Sequence, residues 1–226
     1  EAVVTGREDL DPERSDMHWR LSLSDLGEMM FLGPLATALR THAPHTRLSN
    51  VSVAAADVPA ALEARDIDFA IGILQPRHRG VRSELLFREQ YVAMTSAAWR
   101  PPMGRASAAL TMQQLAASSL VVASPTATFH NSVEQMLVRL KLAGRGVVRA
   151  RPFGALPHPA LDTGLLTIVP QMYAANLVQR HDLRVWSLPR AAAPAYEVRL
   201  VWHASTAQDP AQQWIRAQVH ALFGRA

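Results

Sequence analysis

The sequence predicts an α/β protein built as two lobes. Strand-like and helix-like segments alternate in two batches on either side of Pro101-Pro102, and a last strand and helix are left over to rejoin the first batch. The run Ile67 to Ile73, IDFAIGI, has the apolar character of a central parallel strand covered on both faces.

Each element has a local cause. Residues 1–16 mix acidic and basic side chains around the breaker Asp11-Pro12, as a tail or linker does. Trp19, Leu21 and Leu23 alternate with Arg20, Ser22 and Ser24, the period-two pattern of an edge or near-edge strand. Asp25 and Glu28 have capping-box spacing, which predicts a helix start at Asp25. Phe31, Leu35 and Leu39 form its apolar stripe and Pro44 ends it. Pro34 lies within the stripe, so the helix either kinks there or properly begins just before it. Thr46 to Val53 is a β-branched run, and Asp57 to Ala64 is helical, with Val58, Ala61 and Leu62 on one face. The basic cluster Pro76 to Arg82 reads as a solvated turn, and no stacking aromatics suggest nucleic acid there. Val81 to Thr95 supplies an amphipathic strand and then YVAMT.

The second batch reads as helix 110–118, strand 120–124, helix 129–143, strand 146–153, strand 165–169, helix 171–180 and strand 183–188. Tyr196 to Ala204 is a last strand. Pro210 to Phe223 is a last helix with Trp214, Ile215, Val219, Leu222 and Phe223 as its stripe. A ligand in such a fold sits where strands feed helix N-termini, because unpaired N–H groups point out of the sheet there.

Composition narrows the function classes. At 226 residues, with 49% apolar and 19% charged, the chain can pack a core. It contains no cysteine, which excludes disulfides, thiol catalysis and thiolate metal sites and agrees with a reducing cytoplasm. No apolar run approaches the ~20 residues that span a bilayer. The net charge of +4 is mild, and all but one of the 23 basic residues are arginine. No GxSxG, P-loop or GxGxxG is present. His42 and His45 straddle a proline with no carboxylate on the same face, which argues against a metal.

The motifs, taken in order, resemble the effector-binding domain of LysR-type transcriptional regulators, in the branch of nodulation regulators and sensors of salicylate-like and nitroaromatic compounds. They are SDLGE (24–28) after a strand, PLATALRTHAP (34–44), ARDIDFAIGI (64–73), LFREQYVAM (86–94), LLTIVPQMYA (165–174), and VWHAS (201–205) before a helix with Asp209-Pro210 and Trp214. The resemblance implies two Rossmann-like lobes of periplasmic-binding-protein type II architecture around a ligand cleft. The first lobe would be 17–94 and 198–226, and the second 95–197. Residues 1–16 would end the linker to a helix-turn-helix domain absent from this chain. The implied partners are a small-molecule effector, promoter DNA through that absent domain, and further copies: a homodimer, and a tetramer at full length. It implies no enzyme activity, cofactor, metal or membrane, and a cytoplasmic protein. The alternative is a solute-binding protein of a transport system, which shares the architecture.

The implied effector contacts are Ser24 and Asp25 at the first helix start, Ala55, the loop residues Thr126, Thr128, Phe129 and His130, the wall Pro152 and Phe153, and Pro170 and His203. For Asp25 capping is the competing role, and the Ser24 hydroxyl could hold an acidic group of the effector. Trp202 is expected in the core. Ala54-Ala55-Ala56 offers only methyl groups where many relatives carry hydroxyls, and the remaining donors, Ser24, Thr126, Thr128 and His130, are few and mostly neutral. This predicts a monocyclic aromatic effector with one acidic or polar substituent.

Overall fold

The alternation in HWRLS makes the first strand, β1 (His18–Ser22), with Trp19 and Leu21 buried. The computed structural model describes residues 10–75, 77–105, 107–123, 131–150, 162–190, 192 and 195–225. They form two compact units. The first holds Glu1–Leu23, Phe31–Leu86 and Arg199–Ala226, and the second Ser24–Met30 and Phe87–Val198.

After β1 the chain turns into α1 (Asp25–Gly27), a π-helical turn (Glu28–Leu32) and α2 (Gly33–His42). Pro34 sits in the first turn of α2, directly after the wider turn. A proline has no N–H for the turn above it, and a π-turn absorbs the missing bond. The stripe is as spaced: Phe31, Leu35 and Leu39 are all buried.

The first unit continues with β2 (Arg47–Asn50), α3 (Val58–Glu63), β3 (Phe69–Gly72) and β4 (Val81–Glu89). It takes in the late strand β10 (Tyr196–His203), while α7 (Pro210–Phe223) ends the chain. The sheet order is β2-β1-β3-β10-β4, so the apolar run does form the central strand. β1 is parallel to β2 and β3, and β10 runs antiparallel to β3. Asp68 interrupts IDFAIGI without being stranded: it accepts from the Arg20 N–H at 2.8 Å and from Gln212 Nε2 at 3.4 Å. α7 starts at Asp209, whose carboxylate accepts from the N–H groups of Ala211 and Gln212. Its Phe223 ring meets Phe31 edge-on at 5.0 Å.

The second unit has β5 (Tyr91–Ser96), α4 (Met112–Ala117), β6 (Leu120–Ala123), α5 (Asn131–Arg139), β7 (Gly146–Ala150), β8 (Leu166–Pro170), α6 (Gln171–Leu177) and β9 (Leu183–Ser187). Its order is β7-β6-β8-β5-β9. YVAMT therefore belongs to the second sheet: β5 pairs antiparallel with β8 and β9. The expected crossing after residue 94 is corrected to Leu86/Phe87, and the return falls at Val198/Arg199. β5 is buried on both faces. Tyr91 and Ala93 join one core with Leu115, Leu120 and Trp186, while Val92 and Met94 join another with Leu26, Val121 and Tyr173. No described helix is long and apolar enough to cross a membrane.

Candidate functional site

The loops that follow the carboxyl ends of β1, β2 and β3 carry the candidate chemistry, and Ser24 and Asp25, after β1, belong with the second unit. At the end of β1, the Leu23 N–H donates to Asn50 Oδ1 at 2.9 Å, which fixes the backbone entering the turn. Ser24 is extended, and its Oγ accepts from the Gly27 N–H at 3.0 Å. Ser24 is thus the N-cap, and the assignment of the cap to Asp25 is corrected. The short serine hydroxyl of the extended residue reaches the helix N–H groups, whereas Asp25 already has helical backbone in the first turn. Ser24 accepts through its oxygen and keeps its O–H to donate. Ser22, fully buried one residue pair before, has no partner for its Oγ among the described residues.

Asp25 acts on the second unit's Tyr173. Burial, and then the Asp25 charge, push that phenol up to about 12.

Ala55 lines a cavity of about 360 Å³ within the first unit. Ala56, Val58, Pro59 and Leu74 share its apolar wall, with Val201 of β10. Gln75 and Arg77 add polar groups from the loop after β3. The volume falls in the lower part of the range of roughly 300–1,000 Å³ for small-molecule pockets. Gln75 and Arg77 were absent from the expected contacts, since the basic cluster reads locally as a solvated turn. One signal was available: both directly follow the apolar run of a parallel strand, the place where such sheets present ligand groups.

Pro170 ends β8 and is buried there. The helix start beyond it is already filled: Glu89 accepts from the Met172 N–H at 3.1 Å, and the Gln171 N–H donates to the Gln90 carbonyl. An acidic ligand group would compete there with a carboxylate of the protein itself.

His203 stands apart from this set in strand direction. It lies beyond Trp202, which pairs with Phe69 at the amino end of β3, whereas the other contacts follow carboxyl ends. Its Nδ1 faces Ser205 Oγ at 2.7 Å, and Gly80 packs against its ring. The cause is strand direction, since β10 runs opposite to β3. Trp202 is in the core, as expected. Thr126, Thr128, Phe129, His130, Pro152 and Phe153 lie outside the described residues. Among the described residues no cluster of His, Asp or Glu could hold a metal.

Comparison with known proteins places this arrangement. The chain is 29% identical to the HTH-type transcriptional activator NagR of Ralstonia sp over 226 residues, all of this chain and 73% of that protein. It is 26% identical to the HTH-type transcriptional activator NahR of Pseudomonas putida, over 96% of this chain and 70% of that one. Its fold is that of the regulatory domain of MexT, a transcriptional activator in Pseudomonas aeruginosa, with a TM-score of 0.74 at 20% identity over 92% of this chain and 98% of that one. These relatives are regulators, which does not favour the transport alternative. The model of the LysR substrate binding domain matches residues 13–224, and the chain belongs to that family, as the effector-binding domain of a LysR-type transcriptional regulator.

Proposed function

We propose that this domain senses a monocyclic aromatic compound with one acidic or polar substituent, and that the sensing controls transcription. The observation that carries the effector class is the cavity of about 360 Å³ whose polar side chains, among the described residues, come from the loop after β3. Methyl and proline surfaces favour a flat ring, since apolar contact contributes roughly 25 cal/mol per Å² buried. A sugar would leave several hydroxyls unpaired against such a wall, at a cost of about 1–3 kcal/mol for each unpaired group. An effector that binds one conformation of the sensor better than another shifts the population by its differential affinity.

Promoter DNA would be engaged by a helix-turn-helix domain outside this sequence, in a cytoplasmic protein that binds rather than catalyses. The assembly would be a homodimer, and a tetramer at full length. Phe31, in the π-helical turn before α2, already covers Phe223 of α7, while Leu222 of α7 stays exposed. Calorimetry with aromatic acids, phenols, nitroaromatics, dicarboxylates and sugars tests the effector class. Binding confined to dicarboxylates or sugars would refute it.

A further inference from the structure

We propose that Arg77, assisted by Gln75, forms the anion-recognising edge of the first unit's cavity and sets a preference for aromatic carboxylates over their neutral analogues. The inference rests on the effector reading above and adds to it a charge that local sequence patterns hide.

The cavity's walls sort by chemistry. The β2–α3 loop contributes Ala55 and Ala56, then Val58 and Pro59 from α3, none of which has a polar side chain. The loop after β3 contributes Gln75 and Arg77, and among the described residues Arg77 is the one cationic side chain of the lining. Among the described residues no carboxylate lines the cavity, and Arg77 makes no ion pair. A guanidinium offers a planar pair of N–H donors that matches a carboxylate, and the Gln75 amide can donate a third bond.

The turn that carries Arg77 is held to the sheet. The Val81 N–H donates to the His78 carbonyl at 3.1 Å, and the Ala204 N–H to the Gly80 carbonyl at 2.7 Å. A Cβ on Gly80 would stand 2.7 Å from His203 Nε2, so the imidazole packs closely over this glycine and would have to shift for any larger residue. His203 packs against this turn. A ring on the alanine and proline wall would present its substituent toward the Arg77 and Gln75 side chains that line the same cavity.

The test is isothermal calorimetry with two matched pairs, benzoate with benzamide and 2-hydroxybenzoate with 2-hydroxybenzamide. The proteins are the parent, Arg77→Gln and the exposed control Arg79→Gln, with melting curves to establish that each is folded. The parent should prefer each carboxylate over its amide by about tenfold, the low end for a charge-assisted contact at a partly open edge. Arg77→Gln should abolish that preference while amide affinity stays within about twofold of the parent, and Arg79→Gln should leave it intact. Added salt should shrink the parent's preference and leave that of Arg77→Gln unchanged, a response that a merely structural role would not give. A folded Arg77→Gln protein with the parent's preference, or a parent with none, overturns the role of Arg77 and leaves the aromatic reading standing. A parent that binds none of the four compounds overturns the aromatic reading and this proposal with it.

Discussion

The two sheets share one strand order but treat their buried tryptophans differently. In each, the first parallel strand lies between the second and the third, followed by an antiparallel strand and an outer strand: β2-β1-β3-β10-β4 and β7-β6-β8-β5-β9. In the second unit Trp186 is fully buried and satisfied. Its Nε1 donates to Thr95 Oγ1 at 2.9 Å, Trp99 meets it edge-on at 5.3 Å, and the Arg184 guanidinium lies 4.0 Å over the ring. In the first unit Trp19 and Trp202 are also buried, yet neither Nε1 has an acceptor among the described residues. Equal apolar burial therefore carries unequal polar cost, because an unpaired buried donor forfeits its hydration.

The largest break in this comparison is Trp186→Ala, expected to cost about 3–5 kcal/mol in urea unfolding through the cavity it leaves. The milder pair sharpens the polar half. Thr95→Val should cost about 1–3 kcal/mol by stranding the Trp186 N–H. Ser22→Ala in the first unit should be neutral or stabilising, since its buried hydroxyl has no partner to lose. Equal costs for the two substitutions would sink the contrast.

Alkaline stability should also separate the units, because all three tyrosines, Tyr91, Tyr173 and Tyr196, belong to the second. Burial raises Tyr196, with neighbouring Tyr91 and Glu89 adding to the shift, and Tyr173 is raised to about 12. A raised folded pKa means that the native state holds its proton longer. The Tyr173 contribution is therefore complete below the unfolded value near 10 and lost as pH rises toward about 12. Ultraviolet titration of the parent and Tyr173→Phe checks this, with one late-titrating phenol expected to vanish. Asp25→Asn should bring Tyr173 part of the way back.

The smallest effects concern a feature the units share. α3 ends with Arg65 at φ 60° and α5 with Lys141 at φ 57°. In each, the left-handed residue and the one after it donate back to the helix: Arg65 to Leu62 and Asp66 to Ala61, Lys141 to Val138 and Leu142 to Leu137. Arg65→Gly and Lys141→Gly should each stabilise by about 0.5–1 kcal/mol in thermal unfolding, by removing the Cβ strain. A loss of stability on either substitution would show that the side chain's packing outweighs that strain.

The sequence by itself determined what depends on near neighbours along the chain. The stripe Phe31, Leu35, Leu39, the stop at Pro44, the Asp209 cap and the central strand of IDFAIGI all follow from helical or strand periodicity and local backbone sterics. Tertiary structure decided what depends on partners distant in sequence. YVAMT is as good a strand for either sheet, and only its pairing with β8 and β9, more than 70 residues away, assigns it to the second. Capping-box spacing put the cap at Asp25, and only the backbone showed that Ser24 is the extended residue that caps the first helix. That Ser24 and Ala55 follow the carboxyl ends of parallel strands was legible because strand direction repeats with each strand–helix unit. The direction of β10, which carries His203, was not, since only pairing with β3 makes it antiparallel. Arg77 looked like one charge in a basic turn, and only the convergence of two loops made it the edge of a cavity.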